Sequence, residues 1–338
     1  MSAPPTTPVL RTVSSMRRFR STLPGSVSLV PTMGMLHSGH MSLIRLAAEQ
    51  TDSIVISIYA NPTQLATAEE RASYPATLEA DVAALERLDD ELRRDGAARI
   101  KAVFAPTDEE MYPYLDSTDV ASGLGAFVTI SPLAGRLEGA DQPAHFNGVA
   151  TVCLKLFNAV KPHKAYFGEK DFQQTVVIRR LVQDFLVDTD VVVGETVRED
   201  DGLALSSRNA YLGSRRRKVA TVLWRALCAA AKIYQDGETR RGEILACSLT
   251  EAKREQSLQE QMNGCDRARF EILYLELSDL DSMEDVERVN PRKGALLSGA
   301  IRMLPLEAAT GAENSGLRNG ADWIRLIDSI VLRPTRGL

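Results

Sequence analysis

Two of the chain's four histidines, His37 and His40, fall in one run, PTMGMLHSGH (31–40), together with Gly34 and Gly39. The run follows an apolar, β-branched stretch at 27–30 and leads into Leu43, Ile44 and Leu46, spaced as on one helix face. A turn between a strand and a helix exposes unpaired N–H groups at the helix start, where an anion is stabilised. The glycines let the backbone approach a phosphate closely, and both imidazoles can donate hydrogen bonds to phosphate oxygens. A His-x-x-His pair also suits zinc, but zinc needs further ligands, and no cluster of Cys, His or acid follows nearby. Phosphate chemistry is the favoured reading, beside a purely structural turn.

Three more segments carry polar groups in loops. ANPTQ (60–64) offers Asn61 and Gln64, although an Asn-Pro turn is equally an ordinary capped loop. FGEKDFQQ (167–174) sets Lys170 beside Asp171, Gln173 and Gln174. Acids and amides are common helix caps, but a lysine at a helix start opposes the helix dipole, so capping does not account for Lys170. REDDGLALSSRNAYL (198–212) gathers Ser206, Ser207 and Arg208 in one loop, two hydroxyls and a guanidinium suited to pyrophosphate.

The elements that must position these groups alternate. Short apolar runs at 27–30, 54–59, 102–104, 127–130, 165–167 and 191–193 read as strands, and helix-period segments lie between them, led by Leu78, Val82, Leu85 and Leu88 and by Val149, Val152, Leu156 and Val160. Ile178, Leu181, Val182 and Phe185 repeat the pattern. In an open α/β sheet, ligands bind at the carboxyl ends of the strands, where three of the four motifs fall. The expected fold class is therefore α/β, a Rossmann-like doubly wound parallel sheet over 1–196, with a smaller α+β C-terminal domain over 197–338. That second part has long charged helical segments at 215–234 and 238–261, then alternating segments at 272–277 and 295–301 and an apolar one at 324–332. Arg215, Arg216, Arg217 and Lys218 read as a solvated helix start. The Gly/Asn/Ala-rich stretch at 304–322 reads as a loop insertion, so deleting 308–320 is expected to leave activity intact.

Bulk properties narrow the function. The 338 residues favour two domains at roughly 100–200 residues each. A net charge of -5 argues against a nucleic-acid or anionic-membrane partner, which would want a basic face. No apolar run approaches the ~20 residues of a membrane span. The four cysteines are scattered, as small core residues and not as a disulfide framework. The N-terminal segment carries Arg11, Arg17, Arg18 and Arg20 without acids, as an organelle transit peptide does, yet Leu10, Val13, Met16 and Phe19 keep helical spacing. An ordinary first helix and a cytoplasmic location are expected.

The 31–40 run resembles the His-x-Gly-His signature of nucleotidyltransferases and class I aminoacyl-tRNA synthetases. In order along the chain, the four motifs together resemble the pantothenate synthetase family, and the segments ALLSGAIRM and RLIDSIVL resemble its last hairpin strands. The resemblance implies ATP-dependent condensation of pantoate with β-alanine to pantothenate, in coenzyme A biosynthesis, through a pantoyl-adenylate with release of AMP and pyrophosphate. It implies ATP contacts from Met33, Gly34, Met35, Leu36, His37, Ser38, Gly39 and His40, with His40 the donor to the phosphates. It assigns Gly168, Glu169, Lys170 and Asp171, with Leu205, Ser206, Ser207 and Arg208, to ribose and phosphates, and Val197 to adenine. Catalysis would fall to His37, His40, Lys170, Ser206, Ser207 and Arg208, and pantoate to Gln64, Gln174, Asn61 and Pro31. Mg²⁺ would accompany ATP with Asp81 as its acid, the C-terminal domain would act as a lid, and the protein would be a homodimer.

The chain also departs from the family pattern. Gln142, Pro143 and Ala144 stand where the family usually has Arg-Pro-Gly before His145 and Phe146, and 88–101 is longer and more charged than usual. A cytidylyltransferase or a synthetase-like protein shares the His-x-Gly-His turn but would lack the paired glutamines and FGEKD. A nucleotide-binding regulator without catalysis is the other alternative, against which stand the intact histidines, Lys170 and the Ser-Ser-Arg set.

Overall fold

The apolar runs pair as parallel strands in the computed structural model, which describes residues 7–65, 72, 74–114, 125–307, 313 and 323–334. Strands β1 (Val9–Leu10), β2 (Val27–Thr32), β3 (Ser53–Ile58), β4 (Arg99–Phe104), β5 (Lys164–Gly168) and β6 (Asp190–Gly194) form one sheet in the order β1-β4-β3-β2-β5-β6. Every pair in it is parallel. Helices α1 (Val13–Arg20), α2 (Ser38–Gln50), α3 (Leu78–Arg94), α4 (Pro143–Val160) and α5 (Phe172–Asp184) supply the crossovers. β3 is buried along its whole length and β2 nearly so, serines included, because both faces of the sheet are covered. Leu43, Ile44 and Ala47 of α2 and Leu85, Leu88 and Leu92 of α3 pack with Val30, Ile54 and Ile56 in one cluster.

The chain order reverses at β2, with β3 on one side and β5 on the other, so the segments leaving β2 and β5 depart from the switch point where such sheets bind ligands. The expected strand at 127–130 does not form. Its backbone donors go to side chains of α4, Val128 N to Thr151 Oγ1 (2.9 Å) and Ile130 N to Asn147 Oδ1 (3.3 Å), so no strand ladder is needed to satisfy them. Conversely, β1 is too short to show periodicity, yet it pairs with β4 through Val9 and Leu10. The charged stretch 88–101 joins α3 to β4 and is pinned by Asp89, which accepts from Arg99 Nε (2.7 Å) and Ile100 N (2.8 Å).

The chain divides into two compact units, Met1–Gly135 with Gly139–Glu169 and Gln173–Glu195, and Thr196–Leu338 with Arg136–Glu138 and Lys170–Phe172. In the second unit, α6 (Gly213–Ala220), α7 (Val222–Gln235) and α8 (Arg241–Gln261) accompany an antiparallel sheet, β7 (Phe270–Ser278), β8 (Ala295–Met303) and β9 (Ile324–Leu332). Leu223, Leu227 and Tyr234 of α7 and Ile244 of α8 meet Leu277, Leu297, Ile301 and Leu326 of the sheet in its core. Among the described residues, no helix is long and apolar enough to cross a membrane.

One sequence expectation fails in this unit. The basic run is not a solvated helix start. Arg216 is 2% exposed and donates to the Leu212 and Tyr211 carbonyls, and Arg217 pairs with Glu199 and Asp201. Arg215 pairs with Glu313, which is itself buried and lies inside the presumed loop insertion. The insertion does connect β8 to β9, whose ends Met303 and Ile324 are partners, but it is anchored: Leu306 packs on the core, and Glu307 pairs with Arg267 and Arg269. Of the span 308–320 only Glu313 lies within the described residues.

Candidate active site

In the first unit, β2 ends at Thr32 and the chain turns through Met33, Gly34, Met35 and Leu36 before α2. Gly34 (φ 89°) and Met35 (φ 53°) are both left-handed. That is cheap for Gly34 but costs about 1–2 kcal/mol for Met35, so something must hold the turn. The holder is Asp81 on α3, 4% exposed, which accepts from Met35 N (3.0 Å), Leu36 N (2.8 Å) and the Thr77 hydroxyl (2.7 Å). Thr77 Oγ1 in turn accepts from Met35 N (3.0 Å), and a Cβ on Gly34 would lie 3.1 Å from Asp81 Oδ2.

The histidines form the next layer. His37 is the N-cap of α2: its Nδ1 accepts from Gly39 N (3.2 Å), and His40 Nδ1 accepts from His37 N (3.3 Å), a reciprocal capping box made of two imidazoles. The rings lie 4.1 Å apart between centroids. Because both Nδ1 atoms accept, the neutral rings carry their protons on Nε2, and each presents an Nε2–H donor at a helix N-terminus. Ser38 and Gly39 form the first turn, with Gly39 O accepting from Ser42 Oγ (2.8 Å).

After β3, Asn61 is fully buried and organises the second motif. Its Oδ1 accepts from Thr63 N and Oγ1, and its Nδ2 donates to Gln64 Oε1 (2.8 Å) and Gly148 O (3.2 Å). The Gln64 amide is thereby oriented with its oxygen inward and its NH₂ as the presenting donor. The loop rests directly on α4: a Cβ at Gly148 would sit 2.5 Å from the Thr63 carbonyl oxygen, and His145 Nδ1 lies 3.1 Å from Gln64 O. The segment that departs from the family pattern therefore backs this loop through His145, while Phe146 is buried. Tyr112 stands behind Thr63 (3.4 Å), and burial pushes its phenol up to about 12, so it remains protonated. Burial, then Asp108, raises Tyr59 above the ordinary phenol range.

In the second unit, Lys170 and Asp171 pair (Nζ to Oδ1, 2.9 Å) in a single tight turn that begins at Glu169, just past Gly168 at the end of β5. Val197 and Leu205 are joined by a backbone hydrogen bond, Leu205 N to Val197 O (3.0 Å), closing a small hairpin with Arg198 opposite Ala204. Ser206 caps the turn that follows, Oγ accepting from Arg208 N (3.2 Å), and Asn209 Nδ2 donates to Ala204 O (3.0 Å). Ser206, Arg208, Asn209, Trp224, Arg325 and Asp328 line one pocket of this unit. The half-buried Arg198 is its support, bidentate to the buried Asp328 (2.6 and 2.9 Å) and stacked 3.6 Å over Trp224. Gln174 stands half-buried on the first turn of α5, and Pro31 lies in β2.

The structure thus groups Met33–His40 with Asp81, Asn61 with Gln64, Lys170 with Asp171, and Val197 with Leu205 to Arg208. Sequence reasoning missed Thr77, His145, Tyr112, Gly148, Arg198 and Asp328. All of them act through side chains or carbonyls brought near only by folding; the Asp328 charge inside the apolar 324–332 segment was the one available signal. Asp81 does not fit the metal role expected for it, because its oxygens are buried and engaged by N–H and O–H donors. Among the described residues no group of three His, Cys, Asp or Glu side chains could hold a metal.

The chain matches the pantoate-beta-alanine ligase family over residues 8–331. A pantothenate synthetase of Roseiflexus castenholzii is 42% identical over 295 residues, 87% of this chain and 95% of that protein. A solved pantothenate synthetase structure from Thermus thermophilus superposes with a TM-score of 0.74 at 33% identity, covering 96% of this chain and 99% of that one. The pantoate-beta-alanine ligase of Francisella tularensis, solved in complex with a β,γ form of ATP and β-alanine, gives 0.66 at 26% identity over 96% of this chain and 98% of that one.

Proposed function

The chain belongs to the pantoate-beta-alanine ligase family, and from that premise we propose that it joins pantoate to β-alanine at the expense of ATP by way of a pantoyl-adenylate. A pantoate carboxylate oxygen attacks the α-phosphorus and pyrophosphate leaves. The β-alanine amine then attacks the acyl carbonyl, AMP leaves, and the amine gives up a proton. No covalent bond to the enzyme is needed.

The observation that carries this reading is the imidazole capping box, which fixes two Nε2–H donors at the N-terminus of α2. Negative charge grows on the phosphates as pyrophosphate departs, and preorganised donors aimed at it lower the barrier. His37 and His40 would supply such donors, as would Lys170, Ser206, Ser207 and Arg208, with Gly168 to Asp171 assigned to the ribose and phosphates and Val197 to the adenine. Gln64, presenting its NH₂ because Asn61 holds its oxygen, suits a ligand with acceptor oxygens, as pantoate has, and Gln174 and Pro31 would complete that contact. Mg²⁺ would ride on the ATP phosphates and water, as it commonly does, since Asp81 is engaged elsewhere. Aminolysis of the adenylate requires that water be excluded from it. The homodimer is carried over from the family resemblance, and the cytoplasmic location from the reading of the N-terminal segment as an ordinary first helix.

The test is to mix the protein with ATP, Mg²⁺, pantoate and β-alanine. AMP and pyrophosphate should appear, and pantoate alone should support exchange of labelled pyrophosphate into ATP. Release of ADP, or exchange that needs β-alanine, overturns the mechanism.

A further inference from the structure

Within the second unit, two neighbouring residues of β9 reach both of its proposed phosphate-handling segments. The Asp328 carboxylate, 4% exposed, receives both Arg198 Nη atoms, and Arg198 also donates to Gly202 O (3.2 Å) inside the hairpin that leads to Ser206, Ser207 and Arg208. The next residue, Ser329, is 4% exposed, and its hydroxyl donates to the backbone carbonyl of Lys170 (3.3 Å). Ser329 N donates to Asp328 Oδ1 (2.8 Å), so the two contacts share one rigid dipeptide. β9 is fixed in register against β8, with Gly299 opposite Asp328 and Ser298 opposite Ser329. The stacking of Arg198 on Trp224 completes the lock: a Cβ at Gly202 (φ 90°) would fall 2.0 Å from Trp224 Cδ1.

We propose that Asp328 and Ser329 are positioning residues for adenylation, setting the Ser206–Arg208 turn and Lys170 at a fixed separation so that their donors converge on one polyphosphate. Both segments are single short 3-10 turns, too short to keep one conformation unaided. A bidentate ion pair to the buried Asp328 on one and the Ser329 hydroxyl on the other tie them to the same strand. Neither β9 residue touches the reacting atoms in this scheme. The proposal rests on the assignment of Lys170 and Arg208 to the phosphates.

The experiment measures single-turnover pyrophosphate release from ATP and pantoate, with thermal melts, for Asp328→Asn, Ser329→Ala, Ser329→Thr, Lys170→Ala, Arg208→Ala and the doubles Ser329→Ala/Lys170→Ala and Asp328→Asn/Arg208→Ala. Misplacement by about an ångström costs up to ~10²-fold. Ser329→Ala and Asp328→Asn should therefore slow release by roughly 10–10²-fold per folded molecule, and Ser329→Thr, which keeps the hydroxyl, should restore most of the rate. In each double, the β9 change should add less than about 2-fold, because the group it positions is gone. Ser329→Ala removes only a hydroxyl and keeps the strand, so it remains informative if Asp328→Asn folds poorly. Full loss in Lys170→Ala and Arg208→Ala with normal rates in the β9 variants overturns the proposal alone, as does full multiplicativity in the doubles. Normal rates in Lys170→Ala and Arg208→Ala overturn the phosphate assignment and the proposal together.

Discussion

Replacing Asp81 by alanine separates two accounts of a buried acid. In the structure its carboxylate holds Met35 N, Leu36 N and the Thr77 hydroxyl, and Met35 is kept at φ 53°. Hydrogen bonds to a charged acceptor are worth about 1.5–3 kcal/mol each, but Met35 and Leu36 are only half-buried, so water recovers part of that. Loss of two such bonds, together with release of the strained turn, amounts to about 3 kcal/mol against the closed conformation. At 1.4 kcal/mol per decade that is on the order of 10² in the population of the binding-competent turn. The expected result is a kcat/KM for ATP lowered by roughly 10–10²-fold, largely through KM, with the Mg²⁺ dependence at saturating ATP unchanged. Melting of the ligand-free protein should fall by a few degrees only, because the turn opens locally before the sheet does. Thr77→Val should show the same pattern more weakly. Steady-state kinetics with ATP and Mg²⁺ varied independently, beside thermal melts, decide the matter. A raised Mg²⁺ requirement with an unchanged KM for ATP would refute the clamp and restore the metal role.

His40→Ala and Lys170→Ala should each lose roughly 10²–10³-fold in kcat, the range for one preorganised donor, with melts near wild type; adenylate formed at the normal rate would sink the assignment. Glu313→Ala should lower stability by about 2 kcal/mol, because it removes a charged acceptor from the half-buried Arg215 and leaves it the Gly264 and Arg267 carbonyls, and chemical denaturation checks this. For the same reason deletion of 308–320 should now destabilise the second unit, and a deletion variant with wild-type stability would show the Glu313 contact to be dispensable. Gly148→Ala should raise KM for pantoate and leave KM for ATP near its normal value, since its Cβ would meet the Thr63 carbonyl beneath Gln64; equal rises in both would mean the damage is general.

Legibility in the sequence followed the range of each interaction. β2, β3, β5 and β6 were visible because apolar content repeats locally, and β9 emerged at 324–332 as drawn. The 127–130 segment misled because its composition is strand-like while its donors are captured by Thr151 and Asn147 on α4. The histidine run was legible as a helix start, but nothing local shows that the imidazoles cap each other, since that depends on rotamers. The clamp at Asp81 was hidden for a related reason: an acid on a helix face is ordinarily solvated, and only the fold brings the Met35 turn over it. The anchoring of the insertion was hidden too, because a single buried glutamate leaves no periodic trace among small and polar residues.

In each unit, a segment that carries donors proposed for the phosphates is braced by one buried aspartate. Asp81 holds a left-handed turn through N–H groups; Asp328 holds a hairpin through Arg198. The choice of an acid has a physical reason. A segment meant to receive polyphosphate is rich in donors, and those facing inward need an acceptor strong enough to keep them from turning toward the ligand. A buried carboxylate offers two oxygens and about four lone-pair sites in a small volume. Its cost is that removing it leaves several donors unpaired at once, whereas removing a phosphate-facing side chain leaves only solvated space. Stability and chemistry should therefore separate by residue: substitutions at Asp81 and Asp328 should appear in both melts and rates, and those at His40, Lys170 and Arg208 in rates almost alone.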